Sequence, residues 1–85
     1  MVTIIVYMKP TCPYCQKAIT LLESKGVDLT LIDITDNSTL REEMIQKSGR
    51  TTVPQIFING ELIGGCDDLH ALSVDELNKK LGVSK

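Results

Sequence analysis

Two cysteines stand two residues apart in Cys12-Pro13-Tyr14-Cys15, where a β-branched run gives way to a helical pattern. A dithiol at that spacing can close a small ring, so a mixed disulfide formed at one sulfur can be displaced by the other within the same molecule. The two positions are not equivalent. Cys15 shares the apolar stripe continued by Ala18, Ile19 and Leu22. Cys12 falls about one turn earlier, near the N-cap, where unpaired backbone N–H groups and the positive end of the helix dipole favour a thiolate. Lys9 adds a positive charge nearby. Because the thiolate is the attacking species in thiol–disulfide exchange, Cys12 is expected to be the nucleophile and Cys15 the resolving thiol.

The same spacing also binds metal. Paired cysteines ligate zinc, and Cys66 and His70 are the residues that could complete such a set. Structural zinc motifs usually carry a second close pair, and this chain has no other Cys-x-x-Cys and no His-x-His. A second place for chemistry lies at Gly64-Gly65-Cys66-Asp67-Asp68. The glycines let the backbone approach a ligand, and a helix beginning near Cys66 presents N–H groups to a carboxylate. Asp67 and Asp68 also suit N-capping of that helix. Cys66 has no partner at disulfide spacing and reads as a packed residue or peripheral thiol rather than a catalyst, and His70 reads as a surface residue.

The elements that must position these groups follow from local patterns. Val2–Tyr7 is β-branched and aromatic, and reads as a strand buried on both faces, ended by Lys9-Pro10-Thr11. Pro13 suits a first helical turn, and Gly26 is placed to close the helix. Val27–Ile34 reads as a second strand, followed by a helix over about Ser38–Ser48. Thr39 and Glu42 have capping-box spacing there, and Gly49 supplies a stop. Pro54–Ile58 and Glu61–Gly64 flank Asn59-Gly60, a pair that tolerates the positive φ angles of a type I′ turn and so predicts a tight hairpin. A short helical stretch carrying Leu69 and Leu72 leads to Ser73 and Glu76, a second capping box, with Leu72 and Leu77 as a hydrophobic staple. A parallel crossover first and a hairpin last make an α/β fold, a small mixed sheet with helices on both faces.

Composition narrows the function classes. The 85 residues, 42% apolar and 24% charged, fit one domain spanning 1–85, with no room for a second core. Nine basic and eleven acidic residues leave a net charge of −2, no field to concentrate a phosphate backbone. With no Trp, and with Tyr7, Tyr14 and Phe57 as the aromatics, a stacking platform for single strands is poorly supplied, so no nucleic-acid partner is expected. Ile4-Ile5-Val6 is too short an apolar run for a signal peptide or a membrane span, and a cytoplasmic monomer is expected. Three cysteines, an odd number, do not make a disulfide framework.

Taken in order, Lys9-Pro10-Thr11-Cys12-Pro13-Tyr14-Cys15, Thr52-Val53-Pro54-Gln55-Ile56-Phe57-Ile58, Asn59-Gly60 and Gly64-Gly65-Cys66-Asp67-Asp68-Leu69 resemble the glutaredoxins of the small dithiol class, within the thioredoxin-like fold. The resemblance spans Lys9 to Leu69. Thioredoxins would carry Gly-Pro between the cysteines and a Trp before them, and cluster-carrying glutaredoxins usually carry Cys-Gly-Phe-Ser or a Gly or Ser beside the nucleophile. Pro13 departs from the cluster-carrying pattern.

The resemblance implies a four-stranded mixed sheet and a glutathione-dependent thiol–disulfide oxidoreductase. Cys12 and Cys15 are then catalytic, and Lys9, Tyr14, Thr52, Val53, Pro54, Gly65, Cys66, Asp67 and Asp68 lie along the glutathione site. It further implies a cis Val53-Pro54 peptide facing Cys12, which composition does not predict because only about 5–6% of X–Pro bonds are cis. In the family the Val53 backbone pairs with the cysteinyl unit of glutathione, an extended-peptide mode that gains main-chain hydrogen bonds. Lys9 and Tyr14 lie near its glycine end. The amides of Asp67 and Asp68 meet the γ-glutamyl carboxylate, and the Asp68 carboxylate meets the α-ammonium. Glutathione is implied as co-substrate, with no bound cofactor and no metal. Partners are glutathionylated or disulfide-containing proteins, ribonucleotide reductase being a frequent client of the family. Family potentials of about −200 to −230 mV lie close to biochemical estimates of the cytosolic glutathione poise, so the glutathione pool can turn such a dithiol over.

Overall fold

The structure is a computed structural model and describes residues 2–82, so Met1 and residues 83–85 of the expected 1–85 domain lie outside the described residues. Its elements run β1 (Ile4–Met8), α1 (Pro13–Glu23), β2 (Thr30–Asp33), α2 (Ser38–Ser48), β3 (Gln55–Ile58), β4 (Glu61–Gly64), α3 (Cys66–Ala71) and α4 (Val74–Leu81). The strands form one sheet in the order β2-β1-β3-β4. β1 pairs in parallel with β2 and antiparallel with β3, and β3 pairs antiparallel with β4. The sheet is therefore mixed, as the glutaredoxin resemblance implies.

Alternation along β1 divides the core. Ile4, Val6 and Met8 point to one face, where they meet Cys15, Ala18, Ile19 and Leu22 of α1, Cys66 and Leu69 of α3, and Leu77 and Leu81 of α4. Tyr7 points to the other face and packs with Phe57, Ile34 and Met44 of α2. A fully enclosed side chain such as Leu22 contributes about 1.5–3 kcal/mol by leaving water. On the second face the Tyr7 and Phe57 rings meet edge to face at 5.9 Å. The Tyr7 hydroxyl donates to Glu43 Oε2 at 2.6 Å, tying the sheet to α2. Burial, with Glu43 beside it, pushes the Tyr7 phenol up to about 12.

Local signals account for most element ends. Pro13 opens α1, and Gly26 takes φ 74° beyond it. Asn59 and Gly60 both take positive φ, 52° and 82°, as a type I′ turn requires. Ser73 and Glu76 form their capping box at α4. Several expectations change. The first strand is Ile4–Met8 rather than Val2–Tyr7, and the third begins at Gln55 rather than Pro54, because the ladder pairs run only over these residues. The second strand is Thr30–Asp33 rather than Val27–Ile34, because the parallel ladder with β1 runs over these residues and the strand lies at the sheet edge. The cap of α2 is Asn37, whose Oδ1 accepts from Leu40 N at 3.0 Å, so Thr39 lies inside the helix and does not close a box with Glu42.

β4 carries a feature the hairpin pattern does not announce. Ile56 faces Gly64 while Phe57 faces Leu62, so Ile63 is the extra residue of a bulge. Gly64 then takes φ 113° and turns the chain into α3. The bulge thus aims the start of α3 at the loop before β3.

Candidate active site

Cys12 is the N-cap of α1, with extended backbone angles, φ −88° and ψ 112°. Its N–H donates to Lys9 O at 3.1 Å and closes the turn between β1 and the helix, while its carbonyl accepts from Gln16 N at 3.2 Å. The Cys15 N–H donates to Cys12 Sγ at 3.3 Å, so one of the otherwise unpaired first-turn donors points at this sulfur. Cys12 is half-buried and Cys15 is enclosed, and both are free thiols. Burial, and next the hydrogen bond with Cys12, push the Cys15 thiol up to about 12. Cys15 is thus held as a neutral thiol behind Cys12.

The Val53-Pro54 peptide is cis. Val53 O lies 3.9 Å from Cys12 Sγ, so the proline loop stands directly across from the half-buried cysteine. Beside them opens a groove of about 350 Å³ lined by Tyr14, Arg50, Thr52, Val53, Pro54, Gly65, Cys66, Asp67 and Asp68. Three segments far apart in sequence thereby share one cleft: the first turn of α1, the loop before β3, and the start of α3. The Tyr14 side chain is largely exposed at its mouth.

Of the residues expected at the site, Tyr14, Thr52, Val53, Pro54, Gly65, Cys66, Asp67 and Asp68 line the groove, Cys12 stands beside it against Val53 O with Cys15 enclosed next to it, and Lys9 lies apart. Its side chain is exposed in the turn before Cys12 and does not line the groove. Arg50, which no sequence motif singled out, does line it. Arg50 Nη1 donates to Asp68 Oδ2 at 2.7 Å and bridges the groove from the loop to α3. The available signal was a lone basic residue between the helix-stop Gly49 and Thr52-Val53-Pro54.

Asp68 Oδ2 also accepts from Gly65 N at 2.9 Å, so this aspartate caps α3, the local role its position allows. The Arg50 guanidinium, with the Gly65 N–H, holds its carboxyl below the usual carboxylate range. Of the two glycines, Gly64 is the one the packing requires. A Cβ on Gly64 would run into the Asp68 carboxylate, and one on Gly65 would sit 3.4 Å from Pro54 O. Cys66 is buried at the groove wall, and burial pushes its thiol up against the opposing pull of Lys17.

Among the described residues no three His, Cys, Asp or Glu side chains converge to hold a metal ion, and His70 is exposed while Cys66 is buried. Among the described residues, too, no helix is long and apolar enough to cross a membrane.

Residues 4–63 match the Glutaredoxin family model. The chain is 58% identical to Glutaredoxin 3 of Escherichia coli K12 over 72 residues, covering 85% of this chain and 87% of that protein. It is 49% identical to a glutaredoxin of Pseudomonas aeruginosa over 69 residues, 81% and 82% of the two chains. The solution structure of a glutaredoxin from Brucella melitensis superimposes with a TM-score of 0.83 at 46% identity, covering 100% of this chain and 94% of that one. A buckwheat glutaredoxin solved as a glutathione complex superimposes with a TM-score of 0.86 at 29% identity, covering 95% and 77%. Identity at these levels, over a span that includes both the cysteine turn and the proline loop, means that the chain belongs to the glutaredoxin family, whose work is glutathione-dependent thiol redox chemistry.

Proposed function

We propose that the protein reduces protein–glutathione mixed disulfides and protein disulfides at the expense of glutathione, acting through Cys12 and Cys15. The observation that carries this is the asymmetry of the dithiol. The half-buried Cys12 sulfur receives the Cys15 N–H and faces the proline loop that borders the groove, while Cys15 sits enclosed next to it.

In the one-cysteine reaction the Cys12 thiolate attacks the glutathionyl sulfur of a protein–glutathione disulfide. That S–S bond breaks, the protein sulfur leaves as a thiolate that takes up a proton, and glutathione remains joined to Cys12. A second glutathione thiolate attacks the glutathionyl sulfur, forming oxidised glutathione and returning Cys12 as a thiolate. The Cys15 N–H, aimed at Cys12 Sγ, meets negative charge on that sulfur before attack and again on release. With a protein disulfide, Cys12 attacks first and forms a mixed disulfide. Cys15 then loses its proton, attacks Cys12 Sγ and expels the second substrate thiol. Two glutathione molecules reduce the resulting Cys12–Cys15 disulfide. Because burial holds Cys15 protonated, it does not compete with Cys12 as the first nucleophile.

The groove suits the glutathionyl moiety. Val53 offers its backbone beside the reacting sulfur, with Thr52 and Pro54 shaping the loop and Tyr14 covering one side. Gly65 and Cys66 form the opposite wall, and Asp67 and Asp68 stand at the start of α3, where they receive the γ-glutamyl end. Lys9 contributes from outside the groove as a charge near the glycine carboxylate. That a buckwheat glutaredoxin of the same fold was solved as a glutathione complex supports glutathione as the ligand. The protein is taken to work as a cytoplasmic monomer on glutathionylated and disulfide-bearing proteins, ribonucleotide reductase among the candidate clients.

Glutathione-dependent turnover of a glutathionylated peptide tests this, with wild type, Cys12→Ser and Cys15→Ser in one assay. Wild type and Cys15→Ser are expected to turn over and Cys12→Ser to be inactive. Cys15→Ser is expected to lose most reduction of a protein disulfide. Turnover by Cys12→Ser, or none by fully reduced wild type, would remove the proposal.

A further inference from the structure

Gln55 is a fully buried amide at the start of β3. It pairs with Tyr7 in the ladder, so its backbone already has a place in the sheet. Its side chain lies on the same face as Phe57, the face packed by Tyr7, Ile34 and Met44. Placing an amide there has a cost that an apolar side chain of similar length avoids, and Oε1 has no hydrogen-bond partner among the described residues. Filling the core therefore does not explain the amide.

Its nitrogen does. Nε2 donates to Thr52 O at 2.9 Å and to Thr52 Oγ1 at 3.2 Å, reaching back over the cis peptide to the residue before Val53. Thr52 is otherwise on an exposed stretch with Thr51, and Val53 is only half-buried. The other end of this loop is held separately: Arg50 N donates to Ser48 Oγ at 3.0 Å, and Ser48 Oγ donates to Met44 O at 2.7 Å at the close of α2. Between these two anchors lies the segment whose Val53 carbonyl stands 3.9 Å from Cys12 Sγ.

We propose that Gln55 is a positioning residue for the reaction: its buried amide grips Thr52 from beneath and so fixes the Val53 backbone against Cys12 and the groove. Gln55 touches neither the reacting sulfurs nor the groove, and acts through the loop. The inference rests on the proposed reduction of glutathione mixed disulfides, in which the Val53 backbone receives the glutathionyl unit.

The test is Gln55→Met, which keeps the length of the side chain and removes both donors. Turnover of a glutathionylated peptide is expected to show a KM raised about ten-fold, the loss of binding that one or two neutral hydrogen bonds would otherwise secure. The expected kcat stays within about two-fold, since the cysteine pair is untouched. Melting is expected within a few degrees of wild type, and the rate of Cys12 alkylation by iodoacetamide is expected to be unchanged. Unchanged KM in Gln55→Met, with wild type active, overturns this inference alone. KM, kcat, alkylation and melting all shifting together also overturns it, because the amide would then serve stability only. No turnover by reduced wild type overturns the proposed function and this inference with it. A measurement on the wild type covers the case of a variant that does not fold. The Gln55 Nε2 protons are expected to exchange with solvent more than about ten-fold slower than those of the exposed Gln16 and Gln46. Equal rates would show that the grip on Thr52 does not exist.

Discussion

Gly64→Ala is expected to damage both the fold and the groove, because Gly64 answers two demands at once. Its φ of 113° lies where L side chains rarely go, and the position is buried at the end of β4. Backbone strain of that kind costs about 1–3 kcal/mol. At roughly 4–8 °C per kcal/mol for a domain of this size, a mid-range cost of about 2 kcal/mol lowers the melting midpoint by about 8–16 °C. The added methyl would also push into the Asp68 carboxylate, which caps α3 and pairs with Arg50. Thermal unfolding by circular dichroism of wild type, Gly64→Ala, Asp68→Ala and the double variant separates the two causes. If the methyl displaces the Asp68 carboxylate, Gly64→Ala costs less in the Asp68→Ala background, where the backbone component and the contact with the residue-68 Cβ remain. The same cost in both backgrounds would refute the displacement, and a midpoint within about 2 °C of wild type would refute the strain argument too.

Alkaline pH is expected to unfold the protein progressively from about pH 9. The Cys15 thiol rises from 9.0 to about 12 and the Tyr7 phenol from 10.0 to about 12 on folding, so the unfolded chain releases protons that the folded one keeps. That stability is fully present below pH 9 and is lost as pH climbs toward 12. Denaturant midpoints followed from pH 8 to 11 should fall, and less steeply in Cys15→Ala; a flat profile would contradict the burial of both groups. Arg50→Ala should move the Asp68 titration upward, read from its carboxyl carbon by NMR, because the guanidinium is the first cause of its depressed value. An unmoved titration would mean that the ion pair does not form in solution. Leu22→Ala, in the fully enclosed contact between α1 and the sheet, should cost about 2–5 kcal/mol by denaturant melting. A cost below about 1 kcal/mol would show that the site collapses around the gap.

The legible parts of the fold are those where a few neighbouring residues settle the backbone. Asn59-Gly60 adopts the positive φ pair that its chemistry favours, Ser73 and Glu76 close their box, and Pro13 opens α1. Where two local signals competed, the structure chose. Asn37 outcompetes Thr39 as the cap of α2 because helical hydrogen bonding already begins at Ser38. Val27 and Leu29 have strand-forming side chains, yet β1 offers partners only from Thr30 onward. At the site, the unequal cysteines were readable because the helix start and the apolar stripe both lie within one turn of sequence. Arg50 was not, since its meaning depends on Asp68, 18 positions later.

Sequence alone thus determined the dithiol, the unequal settings of its two sulfurs, most turns and the cap of α4, because each depends on side chains and dihedrals a few residues apart. It also carried the family resemblance through motifs spread along the chain. Tertiary structure decided what faces what: Val53 O opposite Cys12 across 41 positions, Tyr7 on Glu43 across 36, and the bulge at Ile63 that turns α3 toward the proline loop. Such contacts depend on strand order and register, which arise only when the whole sheet packs against helices on both faces. A cleft assembled from three separate segments has no local pattern to read, and Arg50 and Gln55 acquire their partners only once that packing is complete.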